Sequence, residues 1–86
     1  MKIIFHKHFE KQYAKLSKQV KEKFKERKNI FFVDEFNPLL NNHPLEGEYK
    51  GCRSFNVTGD YRVIYKKEER DVRIFITIDI HSNLYD

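Results

Sequence analysis

The chain has 86 residues and carries 17 lysine and arginine residues against 13 aspartate and glutamate residues, a formal net charge of +4 at pH 7. A chain this short has room for a single domain, residues 1–86, and leaves a large share of its surface exposed. An open surface that receives a polymer strand is therefore favoured over a large enclosed pocket. The basic excess suits a nucleic acid, an anionic membrane or an acidic partner, and does not choose among them.

Several kinds of protein are disfavoured by the residue types present. A single cysteine, Cys52, forms no internal disulfide and no thiolate pair for zinc or redox chemistry. The histidines at positions 6, 8, 43 and 81 show no helical pairing that favours a metal, and no glycine-rich loop indicates a phosphate-bearing cofactor. The N-terminal apolar stretch is too short for a secretory signal, and no apolar run approaches a membrane span. We therefore expect a cytoplasmic protein that uses no metal, cofactor or membrane.

The N-terminal part of the chain predicts a short strand followed by a helix. Ile3 to Phe5 form an apolar run that suits an opening strand. Phe9, Tyr13 and Leu16 then recur at helical spacing and are expected on one face. Ser17 indicates a break in the chain and the N-cap of a second helix.

The second predicted helix combines an apolar stripe with many basic residues. Val20, Phe24 and Phe31 form the stripe. We expect the helix to end near Asn37, because Pro38 disfavours helical geometry in the residue before it. The remaining surface is crowded with Lys18, Lys21, Lys23, Lys25, Arg27 and Lys28. Such a run is either a solvated helix face or a surface that follows phosphates, and it supports only a general affinity.

Three strands are predicted after the connector Pro38 to Gly51. Residues 53–57, 61–65 and 72–81 are rich in β-branched and aromatic side chains, with turn signals between them. Consecutive strands pair most simply as an antiparallel meander. The predicted fold is α+β in the order β-α-α-β-β-β, with both helices packed on one face of a small, mainly antiparallel sheet.

The last predicted strand indicates which side chains face the core. Its apolar residues alternate without interruption: Val72, Ile74, Ile76, Ile78 and Ile80. We expect this face to be buried, and the intervening residues 73, 75, 77, 79 and 81 to point away from the helices. The same alternation directs Phe55 and Val57 inward and Tyr61, Val63 and Tyr65 onto one shared face. It leaves one exposed polar and basic surface, formed by Ser54, Asn56, Arg62 and His81.

The polar residues of this surface and its surroundings suit RNA cleavage without a metal. That reaction needs a base for the 2′-hydroxyl, an acid for the 5′-oxygen and a cation for the phosphate. Histidine serves either proton role near neutral pH, arginine binds phosphate, and an exposed tyrosine stacks on a base. The candidates are His43, Asp60, Arg62, His81 and Tyr85. Each also has a purely structural explanation as a loop, turn, ion-pair or chain-end residue.

Four short segments carry a resemblance to a known family. They are His43-Pro-Leu-Glu-Gly, Tyr49-Lys-Gly-Cys-Arg53, Gly59-Asp-Tyr-Arg-Val-Ile-Tyr65 and Ile80-His-Ser-Asn-Leu-Tyr85. Together with the strand and two helices before them, they resemble the RelE/ParE toxin superfamily, and within it the YafQ-like mRNA interferase branch. The resemblance implies a toxin of a type II toxin-antitoxin pair. It further implies an endoribonuclease that cuts translated mRNA in the ribosomal A site and is silenced by a cognate antitoxin.

The resemblance also assigns expected roles to individual residues. His43 matches the loop histidine of the YafQ-like His-Pro-Leu motif, and Asp60 matches the acidic residue of the hairpin. Arg62 matches the phosphate-facing arginine of the Tyr-Arg motif. His81 matches the histidine of the Gly-Thr-His motif, and Tyr85 the terminal aromatic. His43, Asp60 and His81 are thus the predicted catalytic residues.

Two departures from the YafQ-like pattern bear on the activity. YafQ-like enzymes usually carry an acidic residue and a histidine where this sequence has Ser54 and Asn56. Neither of these side chains exchanges a proton near neutral pH, so we expect them to bind substrate, together with Arg62 and Tyr85. The glycine of the Gly-Thr-His motif is also replaced, since Asp79-Ile80 precedes His81.

Two further functions stay open at this point. One is a ParE-like toxin that binds DNA gyrase without enzymatic activity, although such proteins do not need the tail from Ile80 to Tyr85. The other is a decayed member that binds antitoxin or RNA without turnover, as the residues Ser54 and Asn56 suggest. Codon preference and oligomeric state do not follow from the sequence.

Overall fold

The N-terminal strand and the two helices form where the sequence predicts them. The computed structural model describes residues 1–84, in which β1 spans Lys2–Phe5, α1 Lys7–Ala14 and α2 Lys18–Val33. The predicted N-cap of α2 is confirmed, since Ser17 Oγ accepts a hydrogen bond of 3.2 Å from the Val20 backbone N–H. An equivalent bond at α1 runs from the His8 N–H to His6 Nδ1, at 3.0 Å.

Aromatic rings from both helices and the sheet build the core. Phe31 of α2 is fully buried, and its ring centroid lies 5.0 Å from that of Phe55 and 4.9 Å from that of Tyr65. Phe9 of α1 joins this cluster through Phe24, and the centroids of these two rings lie 5.4 Å apart. Tyr13, Leu16 and Val20 pack around this cluster, as their helical spacing predicts. Burying one such side chain stabilises the fold by about 1.5–3 kcal/mol.

The sheet has five strands in the order β1-β5-β4-β3-β2. The later strands are β2 at His43–Pro44, β3 at Arg53–Asn56, β4 at Tyr61–Glu69 and β5 at Val72–Ile80. The predicted antiparallel meander of β3, β4 and β5 is confirmed, and β1 is added in parallel beside β5. A short helix α3 follows at His81–Leu84. The α+β class and the two-helix layer are confirmed, while β2 and α3 are additions to the predicted order.

The predicted facing of β5 is wrong for its first half. Phe75 is fully buried in the core cluster, and Arg73 is 7 % exposed, although both were expected to point away from the helices. The cause is a β-bulge, because Tyr65 pairs with Phe75 whereas the preceding Ile64 pairs with Thr77. The extra residue Ile76 shifts the alternation by one. Beyond the bulge Ile78 is buried as predicted, at 1 % exposed within the core. Asp79, however, was expected to point away from the helices, and its carboxylate accepts a hydrogen bond from Gln12 of α1.

The end of α2 also differs from the prediction. The helix ends at Val33, and Asp34 has extended backbone angles of φ −148° and ψ 92°. After this turn the Glu35 carboxylate bonds to the Tyr65 hydroxyl and to the Arg73 guanidinium. A 3₁₀ turn at Pro38–Leu40 then buries Leu40 completely and leads into β2. Within the described residues, no helix is long and apolar enough to cross a membrane.

Candidate functional site

The face of the sheet opposite the core cluster carries most of the predicted site residues. His43 pairs with Ser54, and Ser54 pairs in turn with Ile64 of β4. Two residues further along β3, Asn56 pairs with Arg62 of β4. Paired residues share a face, so the register places these side chains on one surface, the open face.

Ser54 is wholly buried on the open face, so the expectation that it would be exposed is wrong. Asn56 and Arg62 are half-buried. Ser54 Oγ and Asn56 Oδ1 are both buried, and neither has a hydrogen-bond partner among the described residues. Buried polar atoms nearly always have a partner, so these two atoms have unmet hydrogen-bonding capacity within the described part of the chain.

His43 is oriented by the backbone beside it. Its Nδ1 lies 2.8 Å from the carbonyl oxygen of Asn41, whose backbone is left-handed with φ 47°. A carbonyl oxygen only accepts, so Nδ1 is the protonated ring nitrogen in this contact. In the neutral ring, Nε2 then carries the lone pair and can accept a proton.

A buried polar network anchors the segment that leads into His43. Asn42 Nδ2 donates to the Tyr65 hydroxyl oxygen at 2.8 Å, and Arg53 Nε donates to Asn42 Oδ1 at 2.7 Å. The Tyr65 hydroxyl donates to Glu35 Oε2 at 2.6 Å. Arg73 completes the network with Nη2 and Nε, 2.9 and 3.1 Å from the two carboxylate oxygens of Glu35. The network ties β2 to β4, β5 and the end of α2.

Three pKa values shift because of this network. Burial alone raises the pKa of Glu35, but the hydrogen bonds from Arg73 and Tyr65 and the positive charge of Arg73 outweigh it, so the pKa is lowered. Burial and the neighbouring Glu35 carboxylate raise the pKa of Tyr65 far above its ordinary value. The hydrogen bond to Glu35 raises the pKa of Arg73. Glu35 and Arg73 are therefore a charged pair at neutral pH.

Part of the Arg62 guanidinium is occupied by the β3–β4 hairpin. Its Nη1 donates to the carbonyl oxygens of Thr58 and Gly59, both at 3.0 Å, and to that of Tyr61 at 3.2 Å. The described residues engage only this nitrogen. The remaining N–H donors of the guanidinium are available to a phosphate.

His81 and Asp60 meet at the end of β5. The His81 backbone N–H donates to the Asp60 carbonyl oxygen at 2.7 Å, and both side chains are exposed. Together with Ile80 and Ser82 they line a cavity of about 330 Å³. His81 begins α3 rather than ending the strand as predicted. Tyr85, the predicted stacking residue, lies outside the described residues.

The structure does not bring all predicted catalytic residues together. His43 lies on β2 and His81 follows β5, so β3 and β4 separate them. Neighbouring strands are about 4.8 Å apart, so a polymer lying across the open face can reach both edges. Among the described residues, no group of three or more histidine, cysteine, aspartate or glutamate side chains could hold a metal ion.

Comparison with known proteins decides the family. The sequence matches, over residues 1–86, the family described as "Bacterial toxin of type II toxin-antitoxin system, YafQ". The chain belongs to this YafQ toxin family. It is therefore a toxin of a type II toxin-antitoxin system, as the motifs from His43 to Tyr85 predict. No curated protein matches the chain.

Solved structures share the fold of the toxin. YafQ from E. coli strain BL21(DE3) is 22% identical, with a TM-score of 0.81, 98% of this chain and 97% of that chain being covered. The E. coli DinJ-YafQ toxin-antitoxin complex matches at 23% identity and a TM-score of 0.78, over 98% and 96% of the two chains. A YoeB/ParE toxin from Agrobacterium tumefaciens matches at 20% identity and a TM-score of 0.77, over 94% and 99%.

Two residues of the toxin that the sequence analysis did not select lie next to the predicted site. Asp79 precedes the His81 turn, and its carboxylate accepts a hydrogen bond from Gln12 of α1. Asp79 was noted only as a replaced glycine, and Gln12 gave no signal, because 67 residues separate the partners in sequence. A third residue, Arg73, was also missed, although its sequence context could have indicated it. A charged residue within an apolar strand indicates a buried partner.

Proposed function

We propose that the toxin is an endoribonuclease that cuts translated mRNA on the ribosome, in the cytoplasm, by acid/base chemistry on the open face. One observation carries this proposal: the sheet register gathers His43, Ser54, Asn56 and Arg62 on one surface, and His81 and Asp60 close one end of it. This surface combines two histidines, an arginine and two buried polar atoms that bond to no described residue. Such a set suits a phosphodiester held across the sheet.

The reaction in this proposal is an internal displacement. The 2′-hydroxyl oxygen attacks the adjacent phosphorus and the bond to the 5′-oxygen breaks, which leaves a 2′,3′-cyclic phosphate and a free 5′-hydroxyl. His43 accepts the 2′-hydroxyl proton at Nε2, directly or through a water molecule, because Nδ1 already faces the Asn41 carbonyl. His81 donates a proton to the leaving oxygen, and Asp60, whose carbonyl oxygen accepts from the His81 N–H, orients it. Because β3 and β4 separate the two histidines, proton transfer by both at one phosphate requires the two edges of the open face to approach each other when RNA binds. No metal or cofactor enters this scheme.

The remaining residues of the open face bind the RNA in this proposal. The Arg62 N–H groups that bond to none of the described residues stabilise the charge that develops on the phosphate. Ser54 Oγ and Asn56 Oδ1, which have no hydrogen-bond partner among the described residues, bond to the nucleotide once RNA binding makes these buried atoms accessible. Tyr85 stacks on a base, as aromatic side chains do when they bind single-stranded RNA.

A second candidate function rests on Ser54 and Asn56. YafQ-like enzymes usually have proton-exchanging side chains at these positions, and neither Ser54 nor Asn56 replaces that chemistry. A toxin of this kind would bind RNA or an antitoxin without cleaving RNA. It would arrest growth while the message stays intact.

We further propose that a cognate antitoxin covers the groove between α1 and α2. This groove has a volume of about 360 Å³ and is lined by Phe5, Phe9, Glu10, Tyr13, Phe24, Lys25 and Lys28. No salt bridge within the described residues engages Lys25 or Lys28, and Phe32, four residues further along the helix, is 53% exposed. An acidic amphipathic segment complements this surface, with apolar side chains in the groove and carboxylates on the lysines.

Charge removal from the groove tests the antitoxin proposal. We expect Lys25→Ala/Lys28→Ala to raise the Kd for the purified antitoxin by about 2- to 25-fold at low salt, since each exposed pair contributes roughly 0.2–1 kcal/mol. Lys66→Ala/Lys67→Ala removes the same charge on β4 and serves as the control. Equal Kd values for the two double variants would contradict this docking surface.

Primer-extension mapping of a translated message tests the enzymatic proposal. Induced wild-type toxin should produce discrete cuts at ribosome-occupied codons, and His81→Ala and His43→Ala should abolish them. His8→Ala, an exposed histidine at the start of α1, is the matched control and should leave the cuts unchanged. Intact message with growth still arrested would refute the proposal. Arrested DNA replication in that case would indicate a gyrase-binding toxin, whereas arrested protein synthesis would indicate binding without turnover.

A further inference from the structure

The carboxylate of Asp79 sits at the junction of three elements. Its Oδ1 accepts from the Ile80 backbone N–H at 2.7 Å and from Asn83 Nδ2 at 3.1 Å. Its Oδ2 accepts from Gln12 Nε2 at 3.1 Å. One side chain thus joins the end of β5, the short helix α3 and the long-range partner α1.

The partner in α1 is a rigid anchor. Phe9 and Tyr13 of the same helix pack on Phe24, and each of the two ring centroids lies 5.4 Å from that of Phe24. Gln12 is therefore held by a helix whose inner face belongs to the core. A hydrogen bond from such a helix limits the movement of the Asp79 carboxylate.

We infer that Asp79 and Gln12 act as a positioning clamp for the turn that carries His81. His81 lies two residues after Asp79 and lines the cavity beside Asp60. The turn is held from both sides, by the Asp79 carboxylate and by the bond from the His81 N–H to the Asp60 carbonyl. Neither Asp79 nor Gln12 is assigned contact with substrate; they act through the placement of the imidazole.

The replacement of glycine in the Gly-Thr-His motif gains a physical meaning from this arrangement. Glycine has no side chain and could make none of the three carboxylate contacts, so the turn would lose all three. In this chain Asp79 ties the end of β5 to α3, through its bonds to the Ile80 N–H and to the Asn83 side chain. We attribute the placement of α3, which is only four residues long, to these bonds and to the contact with Gln12.

The first experiment measures the order of α3 by ¹⁵N relaxation and amide exchange on the purified toxin. We expect Gln12→Ala and Asp79→Ala to increase the mobility and exchange of residues 80–84, while the rest of the fold is unchanged. Gln19→Ala, an exposed glutamine on α2, is the matched control. Asp79→Asn retains an oxygen that accepts from the Ile80 N–H, and its NH2 group can donate to Oε1 of a rotated Gln12 side chain, so it should restore most of the order. Unchanged relaxation in both Gln12→Ala and Asp79→Ala would overturn the inference.

The second experiment measures message cleavage and depends on the proposed endoribonuclease activity. We expect kcat to fall about 10- to 100-fold in Asp79→Ala, with KM nearly unchanged, because misplacing a catalytic group by about 1 Å costs rate rather than affinity. Asp79→Asn should recover within about threefold of wild type. A loss of kcat without increased mobility of α3 would overturn the positioning role. A mobile turn in a toxin whose wild type leaves message intact would support the clamp and refute the proposed activity.

Discussion

Asn56 occupies a position on the open face at which the proposed proton transfer can be tested. It pairs with Arg62 and has a buried Oδ1 without a partner among residues 1–84, at a position where YafQ-like enzymes usually have a histidine. We predict that Asn56→His raises the rate of message cleavage, by tenfold or more, because a positioned acid or base contributes about 10²–10⁴-fold. Cleavage is measured under single-turnover conditions on a programmed ribosome.

Two controls separate this effect from a general change in the surface. Gln19→His adds a histidine on an exposed face of α2 and should leave the rate unchanged. The double variant Asn56→His/His81→Ala should lose the gain if His81 is the partner acid. A rate for Asn56→His at or below that of the wild type, in a folded protein, would contradict the role assigned to position 56.

Gly51 gives a second prediction at the residue scale, on stability. Its backbone has φ 92° in the turn before β3, where an L side chain is strained, although no heavy atom lies within 4 Å of an added Cβ. Gly51→Ala should therefore lower the free energy of unfolding by about 1–2 kcal/mol through backbone strain alone. Gly59→Ala also meets no atom within 4 Å, and Gly59 is not in the left-handed region, so it is the matched control in urea denaturation. Equal losses in the two variants would argue against strain at Gly51.

At the scale of elements, the Glu35–Arg73 pair fastens the end of α2 to β5. Its side chains are 12% and 9% exposed, so removing one partner leaves a poorly solvated charge. We predict that Arg73→Met lowers the free energy of unfolding by about 3–5 kcal/mol. The double variant Arg73→Met/Glu35→Gln should recover part of that loss, which a double-mutant cycle in urea measures.

The exposed pair Lys23–Glu26 provides the control for this cycle. Its side chains are 38% and 56% exposed, and such pairs contribute roughly 0–1 kcal/mol. Lys23→Met should therefore have little effect beside Arg73→Met. Similar losses in the free energy of unfolding for the two single variants would show that burial does not determine the contribution of the Glu35–Arg73 pair.

The helices and the meander followed from the sequence because their patterns are local. Phe9, Tyr13 and Leu16 bury the face that their spacing predicts, and Ser17 caps α2. Which side chains of β5 face the core could not be predicted from a local pattern. Its isoleucines alternate across Ile76, and only the pairing with β4 reveals the bulge there.

The candidate site was predictable in its residue types and less so in its arrangement. His43 and His81 stood out by their chemistry, and their motifs correctly indicated the family. Burial of Ser54, the attachment of Arg62 to hairpin carbonyls and the contact between Gln12 and Asp79 all depend on tertiary packing. A two-residue strand such as β2 also carries no periodic signal, although it fixes His43 beside Ser54.

For the whole molecule, the network around Tyr65 sets limits on stability at both ends of the pH range. The pKa of Glu35 is lowered in the fold, so its contribution is present above its unfolded pKa of about 4.3 and is lost as the pH falls through the folded value. The pKa of Tyr65 is raised, so its contribution is present below the unfolded pKa of about 10 and is lost as the pH rises further. This network therefore contributes most between these two limits.

Substitutions of the two groups should remove the two limits separately. We predict that the stability gap between wild type and Glu35→Gln narrows as the pH falls below about 4.3, because the wild-type carboxylate becomes protonated. The gap between wild type and Tyr65→Phe should narrow instead above about pH 10, because only wild type has a Tyr65 that ionises on unfolding. Thermal unfolding across this range measures both gaps, with Glu26→Gln on exposed α2 as the control. Gaps that stay constant with pH for Glu35→Gln and Tyr65→Phe would show that other titrating groups control the pH dependence of the toxin.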